Sequence, residues 1–299
     1  MKSGVVDSVK KFKENGIFEC VGAVFKEGEL IGEKVYRINS FNKMMDNFNK
    51  EQSIVNDLDG IKSLMNINKI RLFGGSTQFI DNTVVKSVTF RIDNSLDLNV
   101  WKPMLESVIL DYYYQKLLSE VLEVDKLFRN LTGSKKNSFE QFGFKIDENN
   151  KIIESKTHLS LYKFSDAHNY EGVPMEEKEG VEFIKRLSNM KNLGRIIEKV
   201  IFFIEDYNMT PVLLGLNLSS KLDEWKIYFT FQYNLSKSET GKVFMAHLNY
   251  IFDGSAREKY DGYIMDMRSM GLYYKGCAIS LDLISDTMLY KPYFYPYGD

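Results

Sequence analysis

Paired strand-like segments recur along the whole chain with helical segments between them, and this rhythm limits the folds that the sequence can adopt. Each pair consists of two runs of strand-forming residues joined by a short polar turn, such as Asp81-Asn82. Short turns join neighbouring strands in antiparallel order. The sequence therefore predicts ten antiparallel strands in five pairs: 17–25 with 33–40, 69–80 with 83–93, 142–147 with 156–165, 211–218 with 224–232, and 271–280 with 287–294.

Helical periodicity fills the intervals between the strand pairs. Residues 102–131 and 176–206 carry apolar side chains at helical spacing. Shorter helices are expected over residues 42–65 and 256–270, and some of these segments can be two helices with a break. The pattern predicts an α/β chain of the α+β type.

Apolar and polar residues alternate along the strands, in an arrangement that is the inverse of the usual small barrel with its apolar inside and polar outside. In one strand, Ile227 and Phe229 alternate with Lys226 and Tyr228, which places the two sets on opposite faces. A wide barrel satisfies both faces if its apolar side packs on an outer ring of helices and its polar side lines a solvent-filled lumen. We expect residues 1–299 to form one such barrel domain.

The tripeptide pattern Lys-x-Tyr falls on one face of several predicted strands. Residues two apart in a strand face the same side, so each copy places a cation beside a phenol ring. Such strands around a common space would suit a ligand with an anionic end and an end that forms a carbocation. Lys156 and His158 precede the weakest copy. The copies, with that weaker one last, are Lys34-Val35-Tyr36, Lys226-Ile227-Tyr228, Lys291-Pro292-Tyr293 and Ser160-Leu161-Tyr162.

Charge and composition argue against several other classes of function. A formal net charge of −2 gives the whole molecule no electrostatic attraction for nucleic acid or an anionic membrane. No apolar run approaches the length of a membrane span, and the first residues lack the apolar core of a signal peptide. Cys20 and Cys277 do not form a disulfide framework. We expect a monomeric protein of the cytoplasm.

Metal and cofactor motifs are sparse. The 3 histidines and 2 cysteines lack the spacing of transition-metal ligands. The sequence contains no Asp-Asp-x-x-Asp, so it does not support a protein-held Mg²⁺ cluster. Gly74-Gly75 lacks the following helix that phosphate-binding loops require. We expect no organic cofactor and no metal held by the protein itself.

The order of the strand pairs, with basic and phenolic residues on their inward positions, resembles the fold of the ABBA aromatic prenyltransferases. Within that superfamily the chain is most similar to the cyanobactin-type peptide prenyltransferases. The stretches that carry the resemblance are Phe18-Glu19, the strand of Lys34, Val88-Thr89-Phe90-Arg91-Ile92, Gly143-Phe144 through Tyr162, Thr210-Pro211-Val212-Leu213, and Met270-Gly271-Leu272-Tyr273-Tyr274-Lys275.

This resemblance implies an enzyme that transfers a dimethylallyl or geranyl group from an allylic diphosphate. The acceptor would be a side chain or terminus of a ribosomal peptide, including a macrocyclic one. Mg²⁺ often accompanies the diphosphate in the group that the chain resembles. Two rivals stay open: the same chemistry on a small indole or phenol, and a non-catalytic barrel that binds a hydrophobic anion.

Cations are expected around the leaving diphosphate, because they stabilise the charge that builds there. The resemblance assigns this role to Lys34, Arg91 and Lys156. The Lys-x-Tyr pattern adds Lys226 and Lys291. For any one lysine the alternative is a solvated surface position.

Aromatic faces are expected around the allyl cation, since they stabilise it and exclude water. The alternative for each tyrosine is an ordinary core position. Gly215, between Leu213 and Asn217 on the predicted lumen face, would leave room for a longer prenyl chain. The candidate rings belong to Tyr36, Tyr162, Tyr228, Tyr273 and Tyr293.

Glu19 is the candidate catalytic residue. The resemblance places a carboxylate here near the acceptor. The predicted turn puts Glu19 roughly opposite Tyr36 and diagonal to Lys34. It can act as a base that takes a proton from the acceptor, or it can form a structural ion pair with Lys34.

Overall fold

The computed structural model describes residues 3–16, 18–38, 70–80, 83–92, 112–136, 138–146, 152–165, 172–231, 235–252 and 260–297. Between residues 70 and 92, the described side chains are those of Ser76, Gln78, Phe79, Ser87 and Thr89. The helix predicted over 42–65 and the start of the one predicted over 102–131 lie outside the described residues.

The strands of the described residues form an inner barrel of ten long strands and a separate pair of short ones. They are β1 (Phe18–Lys26), β2 (Glu29–Ile38), β3 (Ile70–Ile80), β4 (Thr83–Ile92), β5 (Phe139–Ile146), β6 (Ile152–Ser160), β7 (Tyr162–Lys163), β8 (Val173–Pro174), β9 (Met209–Ser219), β10 (Leu222–Phe231), β11 (Leu272–Asp282) and β12 (Thr287–Pro296).

Helices pack outside these strands. In the described residues they are α1 (Ser3–Glu14), α2 (Tyr112–Thr132), α3 (Glu177–Lys191), α4 (Gly194–Glu205), α5 (Lys237–Ile251) and α6 (Asp261–Ser269).

The long strands pair in the closed order β1-β12-β11-β10-β9-β6-β5-β4-β3-β2. All of these pairs are antiparallel, including the closing pair of β1 with β12, where Val21 lies opposite Phe294. The mixed α/β class and the antiparallel sheet curled into a barrel, predicted from the strand pairs, are confirmed. Closure leaves no free sheet edge and creates an inner face that solvent and small ligands reach only through the ends.

The apolar faces of the strands pack outwards against the helices. Ile227 and Phe229 on β10 are buried, and the Phe229 ring lies 5.7 Å from that of Phe203 on α4. Val200 and Ile204 are further buried residues of α4. The hydrophobic core therefore lies between the barrel and the helices, which leaves the inner face of the barrel for polar side chains.

Two predicted elements are each divided in the structure. Strand β6 ends at Ser160, so Tyr162 belongs to the short strand β7, which pairs with β8. The register of β6 against β5 and β9 explains this end, because its last partners are Phe139 and Leu213. The segment 176–206 is two helices, since Asn192 adopts a left-handed φ of 59° and caps α3.

Helices α1 and α5 were missed in the sequence. A signal for α5 is present: Ser236 and Glu239 form a capping box at its start. Among the described helices, none is long and apolar enough to cross a membrane. Cys20 and Cys277 are both free and buried.

Candidate active site

A cavity of about 540 Å³ lies within the barrel. Each of the ten barrel strands contributes to its lining, so the cavity belongs to the closed sheet itself. One residue from each strand, in the order β1 to β6 and then β9 to β12, is Glu19, Lys34, Ser76, Ser87, Gln141, Lys156, Leu213, Lys226, Gly276 and Tyr293.

Five lysines gather on the inner face of the barrel, and we call them the lysine layer. They come from five different strands, which is why no local sequence motif contains them all. Most are nearly inaccessible to solvent: Lys34 is 9% exposed, Lys226 5% and Lys291 6%. The layer consists of Lys34, Lys145, Lys156, Lys226 and Lys291.

Glu224 lies within this layer and joins two of its members. Its carboxylate accepts hydrogen bonds from Lys226 Nζ at 2.8 Å and from Lys291 Nζ. Asn217 Nδ2 at 3.0 Å and Ser280 Oγ at 2.7 Å donate to it as well. Burial alone would raise the pKa of Glu224, but Lys226 and Lys291 hold it well below its usual value. Glu224 is therefore an anion.

The carboxylate of Glu224 does not have the same effect on the pKa values of Lys226 and Lys291. Burial acts to lower the pKa of Lys226, but Glu224 outweighs it, so the pKa is raised and Lys226 is charged. Burial lowers the pKa of Lys291 to about 7, with Glu224 opposing and Lys226 adding to the decrease. Lys291 therefore gains or loses its proton near neutral pH.

Lys145 and Lys156, on the other side of the layer, are paired with other side chains. Lys145 Nζ lies 2.5 Å from Glu154 Oε2. Lys156 Nζ donates to Ser87 Oγ at 3.0 Å, and Ser87 in turn bonds Ser76 at 2.7 Å. Burial, and then the charges of Lys145 and Lys226, lower the pKa of Lys156 to about 7.

Lys34 differs from the other four. It makes no hydrogen bond or ion pair with any residue in the described part of the chain, although it lines the cavity. Burial lowers its pKa well below the usual value, and Lys145, Lys226 and Lys291 lower it further. Glu154 opposes this decrease. A buried amine that lacks a hydrogen-bond partner in the described residues can accept an anion from outside.

The layer has a surplus of positive charge when it is fully protonated. Among the described residues it sets five lysines against the two buried carboxylates Glu154 and Glu224. Two phosphoryl groups linked in a diphosphate offer several anionic oxygens, which match amines that converge from different strands.

Three tyrosine rings stand beside the layer and form what we call the tyrosine cage. The ring centroids of Tyr36 and Tyr293 are 5.8 Å apart, and those of Tyr228 and Tyr293 are 5.9 Å apart. Burial raises the pKa of all three phenols, so they are neutral. Neutral aromatic faces attract cations without adding a full charge to the site.

Gly22 allows this cage to close. It lies on β1 between the two neighbouring strands, paired with Lys34 on β2 and Tyr293 on β12. A Cβ at this position would lie 3.0 Å from atoms of both the Tyr36 and Tyr293 rings. The missing side chain lets the two rings meet across β1.

Gly215 has a comparable place on β9. A Cβ there would lie 3.0 Å from Cε2 of Tyr228 and 3.3 Å from Cδ2 of His158. His158 Nε2 lies 3.3 Å from the Tyr228 hydroxyl, and burial lowers the pKa of this imidazole well below its usual value. A neutral His158 thus orients Tyr228, and the two rings already take up the place that a side chain at Gly215 would need. Gly215 itself is not part of the cavity lining.

Glu19 lines the cavity, but its predicted register is wrong. Cys20, rather than Glu19, lies opposite Tyr36, because β1 has a bulge between Phe18 and Cys20. The bulge turns Glu19 and Cys20 both towards the cavity. In the described residues Glu19 has no ion pair with Lys34, and burial raises its pKa to about 6.

Three other predicted site residues belong neither to the lysine layer nor to the tyrosine cage. Tyr162 lines the cavity from β7, apart from the cage. Tyr273 is not in the cavity lining, which corrects its predicted place: its ring packs on Tyr297, 5.3 Å between centroids, and under Lys237. Arg91 lies on β4 opposite Gln141, and its side chain is outside the described residues.

Several site residues escaped sequence reasoning. Two of them extend an alternation that was already visible: Glu224 precedes Lys226 by two positions, and Tyr295 follows Tyr293 by two. Lys145 and Glu154 belong to strands whose facing could not be fixed without their register. The missed residues that line or adjoin the site are Gly22, Lys145, Glu154, Glu224 and Tyr295.

Comparisons with known proteins identify the fold. No protein-family model matches the sequence, and no curated protein matches it. The crystal structure of NotF prenyltransferase is similar with a TM-score of 0.53 at 8% sequence identity, covering 93% of this chain and 80% of that one. The crystal structure of NotF in complex with brevianamide F and DMSPP aligns with a TM-score of 0.48 at 9% identity, covering 93% of this chain and 79% of that one.

These likenesses reach as far as the fold. The match with a TM-score of 0.53 shows a shared fold, and it does not reach the narrower cyanobactin-type peptide group. The chain shares its barrel fold with the NotF prenyltransferase structure, and it carries a lysine layer and a tyrosine cage on its inner face.

Proposed function

We propose that this protein transfers a prenyl group from an allylic diphosphate to a small aromatic acceptor, an indole or a phenol. The observation that carries the proposal is the juxtaposition of two unlike surfaces in one cavity, the lysine layer and the tyrosine cage. An allylic diphosphate has the same two ends. The shared fold of NotF prenyltransferase supports this assignment.

The first step breaks the bond between the prenyl carbon and the diphosphate oxygen. The electron pair leaves with the diphosphate, whose negative charge grows as the bond lengthens. Lys34, Lys156 and Lys226 line the cavity from three directions and stabilise that charge. Amines that are already in place need no rearrangement during the reaction, so their stabilisation applies in full to the transition state.

The second requirement is to keep the allyl cation from water. Tyr36, Tyr228 and Tyr293 present ring faces and edges around one space. Each ring that faces the cation contributes about 0.5–2 kcal/mol and also displaces a water molecule that would quench it. Before the substrates bind, we propose that water fills this lumen.

The third step forms the new bond between the prenyl carbon and a nucleophilic atom of the acceptor. The acceptor ring supplies the electron pair and afterwards loses one proton. Glu19 is the group in the lining that can take it. With a pKa of about 6, Glu19 is mostly ionised at neutral pH and yet basic enough to accept a proton.

The size of the cavity favours a small acceptor. Its volume of about 540 Å³ falls in the range of ligand sites, about 300–1,000 Å³. The prenyl diphosphate takes up part of that space, and what is left suits a bicyclic ring. A peptide would place most of its atoms outside the cavity.

The residues of the layer do not fit a metal ion held by the protein. The described residues contain no group of three or more side chains suited to a metal, and Glu154 and Glu224 are already bonded to lysines. Ammonium groups repel a cation. We propose that any Mg²⁺ enters with the diphosphate, held by the phosphate oxygens.

The direct experiment incubates the purified protein with dimethylallyl or geranyl diphosphate and three sets of acceptors: indoles, phenols, and linear or macrocyclic peptides. Mass spectrometry detects the prenylated product. A prenylated indole or phenol supports the proposal. Prenylation of peptides alone would overturn the acceptor class, and tight diphosphate binding without any product would favour a non-catalytic binding barrel.

A further inference from the structure

Glu224 is a second element of the site, distinct from the lysines that meet the substrate. It is 4% exposed, and four donors from four strands hold its carboxylate: Asn217, Lys226, Ser280 and Lys291. No substrate anion gains from contact with such a carboxylate. Its role must therefore act through the lysines.

A buried carboxylate weakens a site that binds anions, so the position of Glu224 among the lysines needs an explanation. Its charge repels the incoming diphosphate across a medium of low dielectric. An apolar or amide side chain of similar size would avoid that repulsion. The empty site, however, would then bury five amines against a single carboxylate, Glu154, and burial favours the loss of their protons.

We propose that Glu224 is a positioning residue that keeps Lys226 charged and holds Lys226 and Lys291 in place by its hydrogen bonds, so that binding of a diphosphate-class anion is coupled to proton uptake by the partly neutral amines of the lysine layer. This inference rests on the proposed function and adds a regulatory property to it: donor affinity depends on pH through one internal counter-ion.

The groups around Glu224 determine the direction of the coupling. Lys226 is charged in the empty site, whereas Lys156 and Lys291, with pKa values of about 7, are partly neutral there. An anion raises the pKa of each amine that it touches, so binding draws protons from solvent at neutral and mildly alkaline pH. The charged and titratable groups that face this centre are Lys34 on β2, Lys145 on β5, Glu154, Lys156 and His158 on β6, Lys226 and Tyr228 on β10, and Lys291 on β12.

Calorimetric titration with inorganic pyrophosphate tests this coupling. The wild-type protein is titrated at several pH values in two buffers that differ in ionisation enthalpy, which counts the protons taken up. We expect net uptake at pH 7 to 8. Binding with no proton uptake would overturn the inference and leave the proposed function standing, whereas no binding at any pH would overturn both.

A Glu224→Gln variant supplies the second measurement. The amide keeps a hydrogen-bonding side chain but removes the charge, so we expect pyrophosphate to bind about tenfold tighter near pH 6 and about tenfold weaker near pH 8.5. Glu224→Asp, which keeps the charge, should retain the wild-type pH profile. Ser280→Ala removes one hydrogen bond to Glu224 and no charge, and it is the matched control for a purely structural effect.

A structural role alone predicts a different result. In that case, Glu224→Gln would weaken binding by the same factor at every pH, and Glu224→Asp would not rescue it. If the glutamine variant does not fold, the aspartate variant decides the role of Glu224: a wild-type proton count and pH profile support the inference, and an affinity that is weakened by the same factor at every pH overturns it.

Discussion

Replacement of Lys34 by methionine should make the protein more stable and its anion binding weaker at the same time. Lys34 is 9% exposed, has no partner in the described residues, and faces three other amines. Folding therefore buries an ammonium without compensation or removes its proton. Methionine has a similar length and no charge, so it removes that cost and fills the same space.

The expected magnitudes follow from this environment. Replacing poorly compensated buried charges by apolar side chains stabilises proteins by about 1–4 kcal/mol. The lower part of the range, about 1–2 kcal/mol, applies here, because the amine can shed its proton. For a chain of this size, that corresponds to a rise in Tm of about 2–4 °C. Loss of one charge-assisted hydrogen bond should weaken pyrophosphate binding by about tenfold to one hundredfold.

The lowered pKa of Lys34 determines how the stabilisation by Lys34→Met changes with pH. The pKa of Lys34 is lower in the folded protein than its ordinary value of 10.5, so the unfolded chain binds the proton more tightly. The cost of Lys34 is complete below its lowered pKa and disappears as the pH rises towards 10.5. The stabilisation gained by Lys34→Met should therefore be largest at acid pH and fade in alkali.

Thermal unfolding measures the predicted change in stability, and titration with pyrophosphate measures the predicted change in affinity. Both are run on the same preparations. Lys178→Met is the matched control, because Lys178 is an exposed residue of α3 and the charge change is identical. It should alter neither quantity. A Lys34→Met protein that is less stable, with unchanged affinity for pyrophosphate, would refute the view of Lys34 as an unpartnered cation prepared for an anion.

Four further predictions concern the other parts of the site. Lys226→Met should both weaken pyrophosphate binding and lower the Tm, because it breaks the 2.8 Å bond to Glu224; a raised Tm would contradict the pairing. Glu19→Gln should lower kcat by about one hundredfold and flatten the rise in rate through pH 6, with little change in donor affinity; an intact pH profile would assign the proton to another group. Gly215→Phe should shift donor preference from geranyl towards dimethylallyl diphosphate, since even a Cβ there lies 3.0 Å from the Tyr228 ring and the larger side chain would push this ring into the cavity; an unchanged ratio of kcat/KM for the two donors would exclude this position. Removal of divalent metals with a chelator should leave binding of the prenyl diphosphate within about threefold, because lysines rather than a protein-held metal meet the phosphates; complete loss of binding would refute this.

The alternation of residues predicted the inner and outer faces of the barrel. Period-two spacing in Lys226 and Tyr228 requires one face for both, and the structure places both in the cavity lining. The apolar residues between them, such as Ile227, form the outer core. Where apolar and polar residues alternate as clearly as in this strand, the sequence suffices to determine which side chains share a face.

Register and side-chain pairing depend on contacts between segments, and the local sequence does not determine them. The bulge at Glu19 shifts β1 by one residue against β2, and no local signal marks it. The pair Lys291 and Glu224 joins residues that are 67 positions apart. Tyr273 has the same spacing from its neighbours as a lumen residue would have, but its ring packs on Tyr297 instead. Tertiary packing decided each of these cases.

The most direct measurement of the central claim is a crystal structure of the protein with a non-hydrolysable allylic thiodiphosphate. The account predicts that the diphosphate oxygens lie within hydrogen-bonding distance of Lys34, Lys156 and Lys226, with the prenyl group against Tyr36 and Tyr293. A ligand bound outside the barrel, or within it with its diphosphate at the tyrosine cage and away from the lysine layer, would contradict it.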